Sequence, residues 1–242
     1  MTSRAIAANA GINVPDGVVI QRGDSIAYSS PVVVKPSTAD NSHGVSLVTR
    51  AKELARAIAT AFEFSDQAIV ESFVPLGREV RCGTISRDDQ IECLPLQEYA
   101  LDATTHPIRS EADKLTRHDD GALDLTSKHR TTSSMVNLED PITEIVWSVA
   151  RQCHRAFNCR DYGLFDFRID PAGRVYFLEA GLYCSFAPSS IVSTMARASG
   201  IQLHELFRHC LEMAISRDTR PNRKRDDSRS FTRHAPLCLS SS

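Results

Sequence analysis

The stretch Gly163 to Ser190, GLFDFRIDPAGRVYFLEAGLYCSFAPSS, leaves this chain few folds to adopt. Leu164 to Ile169 reads as a strand, with Leu164, Asp166 and Arg168 on one face and Phe165, Phe167 and Ile169 on the other. Asp170-Pro171-Ala172-Gly173 is turn chemistry: proline presets φ and glycine accepts a positive φ. Arg174 to Leu178 reads as the return strand. A hairpin of this length sets Asp166 beside Glu179 on paired strands. Two carboxylates beside a glycine-containing loop suit a hard divalent cation, because Mg²⁺ takes oxygen ligands, usually one or two carboxylates plus substrate phosphates. The competing reading is structural: Asp166 pairs with an arginine on the sheet face and Glu179 merely ends a strand.

With 242 residues, 42% of them hydrophobic, the chain can bury a substantial core in one or two domains. A formal net charge of -2 supplies no global field that would draw it to nucleic acid or a membrane surface. No apolar run approaches the ~20 residues that span a bilayer. The opening MTSRAIAANAGINVPDG lacks a signal-peptide core. The seven cysteines form no CxxC pair, which points to reduced thiols and a cytoplasmic location. Cys153, Cys159 and Cys210 fall in or near apolar helical patterns, where a thiol serves as a small hydrophobe. His204 and His209 have the wrong helical spacing to share a metal.

In chain order, Thr2 to Ala10 reads as a short helix stopped at Gly11, and Ile12 to Ile20 as extended chain with a turn at Pro15-Asp16-Gly17. Pro31-Val32-Val33-Val34-Lys35-Pro36 is a buried strand with a lysine at its end, either snorkelling or aimed at an anion. Ser37 to Gly44 is a small, polar loop whose backbone N–H groups could cradle phosphates. Val45 to Val48 resumes a strand, and Thr49 is placed to cap a helix running to Phe62. Gln67 to Phe73 is a second buried strand carrying Glu71. Pro75 to Arg78 turns the chain into a strand of alternating polarity, Glu79 to Ile85. Arg87-Asp88-Asp89 turns again into a strand, Ile91 to Leu96.

Tyr99 to Asn137, with Asp119-Asp120-Gly121 and Lys128-His129-Arg130, is too long and polar for an ordinary connection and reads as a lid. Asp140-Pro141 starts a helix to about Phe157, with Ile142, Ile145, Val146, Val149, Cys153, Ala156 and Phe157 as its apolar stripe. After the hairpin, Pro188-Ser189-Ser190 opens a helix to about Ala198, closed by Gly200. Leu203, Leu206, Phe207, Cys210 and Met213 mark a last amphipathic helix. From Arg217 to Ser242 the arginine-rich chain is expected to be a disordered tail.

PVVVKPS, the acidic-strand segment VESFVPLGRE, and the pair FDF…VYFLEA in this order resemble the ATP-grasp superfamily, and within it the D-alanine–D-alanine ligase branch. The resemblance covers about Thr2 to Ser216. It implies an α+β ATP-grasp fold in which two α+β subdomains with antiparallel sheets grip ATP. Residues 1–85 would form the first subdomain, 86–216 the second with its lid at about 99–137, and 217–242 the tail. It implies that Lys35 holds the nucleotide phosphates, Ser42 and Gly44 close over them, Glu71 with Ser72, Phe73 and Val74 lies along the adenine, and Glu79 meets the ribose. Lys128 is the lid lysine that this resemblance implies, Asp166 and Glu179 the Mg²⁺ ligands, and Asn41 and Ser190 the substrate contacts.

The activity so implied is ATP- and Mg²⁺-dependent ligation of a carboxylate to an amine through an acyl phosphate. Its substrates would be amino acids, with neither nucleic acid nor membrane as partner. Two positions depart from the branch. Gly181 stands where it places an asparagine ligand, and Leu164 where it places an oxyanion-stabilising arginine, leaving Arg168 on the same strand face as the candidate substitute. The branch also carries a preceding α/β domain, so a separate N-terminal domain or a homodimer is the expected protein partner. The alternative is an ATP-binding pseudoenzyme, truncated or catalytically impaired.

Overall fold

A computed structural model describes residues 2–39, 42–87, 90–109, 115–117, 123–125, 133–182 and 185–218. Two antiparallel sheets hold the described chain together. The first contains β1 (Gly17–Gln21), β2 (Val32–Pro36), β3 (Ser46–Val48) and β4 (Gln67–Ser72), in the order β1-β4-β2-β3. The second contains β5 (Arg78–Arg87), β6 (Gln90–Cys93), β7 (Gln97–Tyr99), β10 (Ser133–Met135), β11 (Tyr162–Ile169) and β12 (Val175–Ala180). Its order is β10-β7-β5-β11-β12, with β6 paired to β5. Two short strands between β7 and β10, β8 (Leu115–Arg117) and β9 (Leu123–Leu125), pair only with each other. The helices are α1 (Ser3–Asn9), α2 (Leu54–Phe64), α3 (Ile142–Ala156), α4 (Ile191–Ala198) and α5 (Leu203–Asp218).

Local chemistry sets most of these limits. Thr2 Oγ1 accepts from Ala5 N at 3.3 Å and starts α1. Asp140 Oδ1 accepts from Ile142 N at 3.0 Å and starts α3. The α3 C-terminus closes through Asn158, whose φ of 51 lets Cys159 N reach His154 O at 3.0 Å. Ser190 Oγ accepts from Ser193 N to start α4, and Gly200, at φ 87, ends that region. Thr49 does not cap the second helix. A 3₁₀ turn, Ala51–Glu53, precedes α2, with Arg50 at its start and the Arg50 guanidinium on Glu53 at 2.7 Å.

Three apolar clusters result. Val34, Val48, Ala57, Ala61, Phe62, Ala68 and Val70 join α2 to one face of the first sheet. Phe165, Phe167, Ile169, Val175 and Phe177 pack with Val146, Ala150, Cys153 and Ala7, so α1 and α3 cover one face of the second sheet. Ile85, Leu94 and Leu164 meet Met195, Ala196 and Leu206 from α4 and α5 at one end of its other face. Strand β5 is therefore buried from Val80 to Ile85 on both faces and not half-solvated, as its alternation of polarity implied. Ile145 and Phe207, expected in apolar stripes, are about half exposed. α3 turns Val146, Ala150 and Cys153 inward, and α5 turns Leu206 inward.

A boundary after residue 85 falls inside β5, which pairs with β11 from Arg78↔Ile169 to Ile85↔Tyr162 and so belongs wholly to the second sheet. The chain crosses between sheets at Phe73–Gly77. A side chain at Gly77 would meet the Asp170 backbone at 2.8 Å, and Gly77 N donates to Ile169 O at 2.9 Å. The turn at Asp88-Asp89, the segment Asp119-Asp120-Gly121, the Lys128-His129-Arg130 cluster and the tail from 219 lie outside the described residues.

Candidate active site

Strand alternation builds the first wall of a cleft. In β2 and β4, Val34 and Val70 point to α2, so Val33, Lys35 and Glu71 point to the opposite face. Lys35 Nζ donates to Glu71 Oε1 at 2.6 Å, and Arg4 Nε from α1 lies 4.0 Å from Glu71 Oε2. Ser42 and Gly44 turn the following loop with φ of 57 and 70. A side chain at Gly44 would strike Phe64 at 2.8 Å and Pro36 at 2.9 Å, so the turn sits tightly on α2.

The second wall comes from β5, β11 and β12. Glu79 lies opposite Arg168, Asp166 opposite Arg81, and Asp166 opposite Glu179 across the hairpin. The two hairpin carboxylates are thus strand partners, as the turn length required. Phe165, Phe167 and Ile169 enter the α3-covered core, while Asp166 and Arg168 point away from it. The Ser72-Phe73-Val74 crossing is held by Phe73 N on Pro31 O at 3.0 Å and by the Arg168 guanidinium over the Phe73 ring at 5.6 Å.

Between the walls is an open cleft with an empty volume of about 580 Å³, part of it solvent. Lys35, Ser42, Glu71, Ser72, Phe73, Val74, Glu79, Arg168 and Glu179 all line it. Gly44 adjoins it through Val45. Ser190 is not among the lining residues; it caps α4, and its hydroxyl donates to Ser193 Oγ at 2.8 Å. Asn41 and Lys128 lie outside the described residues.

Beneath the cleft is an ion-pair network that the strand patterns did not disclose. Arg81 grips Asp166 with two parallel hydrogen bonds, Nη2 to Oδ2 at 2.7 Å and Nε to Oδ1. Arg109 donates from Nη2 to Asp166 Oδ2 at 2.6 Å and from Nε to Glu79 Oε1 at 2.5 Å, and stacks over Tyr99 at 4.2 Å. Arg168 holds the other Glu79 oxygen and donates from Nη1 to Val74 O at 3.2 Å and Pro107 O at 2.9 Å. These contacts tie Arg168, expected as the substitute oxyanion donor, to Glu79 and to the backbone of the crossing segment. Leu164 belongs to the apolar cluster with Leu94 and Met195.

The environment fixes charge states. Burial alone would raise the Asp166 carboxyl, but Arg109 and Arg81 override it and hold the group well below the carboxylate range. Burial pushes the Tyr99 hydroxyl up to about 12, against the pull of Arg109. A sequence signal did exist for Arg81, which stands two residues from Glu79 and so on its face of the same strand. Arg109, in a loop without periodicity, had none.

A family model described as D-ala D-ala ligase C-terminus matches residues 7–212. The chain belongs to this family, with the α+β ATP-grasp fold. It is 30% identical over 227 residues to a D-alanine–D-alanine ligase of Mycolicibacterium gilvum, covering 90% of this chain and 59% of that protein. Crystal structures of the Bacillus anthracis D-alanine–D-alanine ligase match with a TM-score of 0.69 at 22% identity, covering 88% of this chain and 66% of that one. In its ATP complex the same enzyme matches with a TM-score of 0.67 at 20% identity, covering 91% and 65%. The chain spans about three fifths of the length of the curated relatives it matches.

The donor set tests the expected Mg²⁺ site. Asp166 does not fit as arranged, because guanidiniums already bind both its oxygens. Among the described residues, no group of three or more His, Cys, Asp or Glu side chains is placed to hold a metal. Glu179 does fit: its side chain is 57% exposed, lines the cleft and is only 3.7–3.8 Å from the nearest guanidiniums. Among the described residues, no helix is long and apolar enough to cross a membrane.

Proposed function

We propose that the cleft is an ATP site and that the chain supplies the nucleotide-binding part of an ATP-dependent carbon–nitrogen ligase. One observation carries this reading: residues from β2, the following loop, β4, the crossing segment, β5, β11 and β12 converge on a single cleft in the order the resemblance requires. Family membership and the D-alanine–D-alanine ligase relatives support it. Lys35 provides a cation for phosphate near the end of β2, an interior strand of the first sheet, and the Ser42 turn that follows offers backbone N–H groups to the same anion. The flat crossing segment and Phe73 suit an adenine ring, and Glu79, held by Arg168, suits a ribose hydroxyl.

In the reaction a substrate carboxylate oxygen attacks the terminal phosphorus and ADP leaves, giving an acyl phosphate. An amine then attacks its carbonyl carbon, the tetrahedral intermediate expels inorganic phosphate, and the amine nitrogen gives up a proton to form the amide. Most of the acceleration comes from positioning and charge neutralisation. Glu179 would hold a Mg²⁺ ion, which would supply additional charge neutralisation when bound. Asp166 serves the site by fixing Arg81 and Arg109. The substrates are small amino acids in this reading, with D-alanine the first to test.

Phosphate release from ATP, screened over D- and L-amino acids singly and in pairs, tests the reading. The expected result is release that requires a particular acid. ATP binding with no release for any acid would instead mark a nucleotide-binding relative without the chemistry.

A further inference from the structure

Arg109 differs from the other guanidiniums of the network in one respect. Its Nη1 is buried and has no hydrogen-bond partner, the only such buried side-chain nitrogen or oxygen among the described residues. Its Nε and Nη2 are fixed on Glu79 and Asp166, its plane lies on Tyr99, and the residue lines the cleft. Arg81 binds Asp166 just as firmly but does not line the cleft. Arg168 lines it but directs its Nη1 to two backbone carbonyls.

An unpaired donor on a buried cation is costly, so proteins pair nearly all of them. Here three sides of the guanidinium are locked by groups of 2% side-chain exposure and by an aromatic face, leaving one edge unmatched beside a cleft. A guanidinium fork fits planar or tetrahedral oxyanions and stays charged at any working pH. Preorganised donors of this kind act without reorganising when charge arrives.

We propose that Arg109 is a substrate contact whose free edge binds an oxyanion, either a phosphoryl oxygen of the nucleotide or the carboxylate of the acid. Tyr99, Glu79 and Asp166 are its positioning residues. The inference rests on the nucleotide reading of the cleft. It assigns a role to the loop from Ala100 to Arg109, which delivers this side chain between the sheets.

The test compares wild type, R109K and Y99L by calorimetry with adenosine and with β,γ-methylene-ATP, and by phosphate release from ATP with D-alanine. R109K keeps a positive charge for Asp166 and Glu79 but loses the fork. Y99L leaves every ion pair in place, so a folded variant remains should R109K fail to fold. A phosphoryl contact predicts unchanged adenosine affinity, triphosphate binding weakened about tenfold or more in R109K, and a smaller loss in Y99L. A carboxylate contact predicts unchanged binding of adenosine and of the triphosphate analogue, and a D-alanine KM raised about tenfold or more. Variants equal to wild type in the triphosphate increment and in the D-alanine response overturn the assignment while leaving the nucleotide site intact. A folded wild-type chain that binds neither adenosine nor the analogue overturns the site itself and the inference with it.

Discussion

Replacing Lys35 by methionine separates what this lysine does for the fold from what it does for a ligand. Its ammonium lies 2.6 Å from Glu71, a residue only 4% exposed, whose other oxygen has Arg4 at 4.0 Å. Lys35→Met keeps the aliphatic stem but leaves Glu71 with that one long contact. Loss of a partner to a buried acceptor costs about 1–3 kcal/mol. In a domain of this size each kcal/mol moves Tm by about 2–4 °C, so a fall of roughly 2–12 °C is expected. A charge-assisted hydrogen bond to a phosphate contributes about 1.5–3 kcal/mol, equivalent to roughly 10- to 150-fold in Kd. The double variant K35M/E71Q removes the stranded carboxylate charge. It should recover most of the lost Tm but none of the lost affinity. Scanning fluorimetry gives the first quantity and displacement of a fluorescent ATP analogue the second. A K35M chain with wild-type affinity removes Lys35 from the site. Recovery of affinity in the double variant shows that Lys35 acts only through Glu71.

Other outcomes follow from the same geometry. Glu179→Gln should leave the unfolding free energy within about 0.5 kcal/mol of wild type, since the side chain is 57% exposed, while abolishing any gain in nucleotide affinity on adding Mg²⁺; an unchanged Mg²⁺ effect in calorimetry removes Glu179 from the metal. Gly181→Asn should be accommodated, because a Cβ there meets nothing closer than Leu164 at 3.7 Å, and it should increase the Mg²⁺ effect by adding an oxygen ligand; a chain that unfolds or shows no increase contradicts this. Phe177→Ala empties the centre of the second sheet's core, where the ring is 1% exposed beside Phe157 and Phe167, and should cost about 3–5 kcal/mol in urea unfolding. A cost below about 1.5 kcal/mol contradicts the burial of Phe177 at the centre of that core.

His154 gives a pH dependence with a defined sign. It is 3% exposed between Thr84 and Ser86, and burial lowers its pKa. The unfolded chain takes up a proton near pH 6.5 that the folded chain refuses. Stability should therefore fall as pH drops through about 6.5 toward the folded value. His154→Gln should flatten the urea midpoint between pH 7 and 5, and an equal slope in both proteins refutes the assignment.

How much of this was legible depended on how local the cause was. The hairpin, the lysine near the end of β2 and the helix starts after Thr2, Asp140-Pro141 and Ser190 are written in neighbouring residues, and each formed within a residue or so of where it was expected. The cleft face of β2 and β4 followed from alternation once Val34 and Val70 were placed on α2. Other features depend on partners distant in sequence. Strand β5 looked half-solvated because nothing near it announces α4 and α5, which cover one end of its far face, or the arginines that bury the rest. Asp166 looked like a metal ligand because its two arginines come from Arg81, opposite on another strand, and Arg109, 57 residues away in a loop. Asp166 does pair with arginines, as its structural reading had it, but the pairs are buried and not on a wet face. Ile145 and Phe207 obey helical spacing yet face outward, because periodicity fixes a stripe's width better than its edges.

The central claim is that the cleft between the sheets takes a nucleoside triphosphate. Calorimetric titration of the full chain with β,γ-methylene-ATP, on a sample whose circular dichroism shows it folded, addresses that claim most directly. The account predicts saturable one-to-one binding that ATP competes and that Lys35→Met weakens. A folded chain that releases no heat, or that binds the analogue equally well without Lys35, contradicts it.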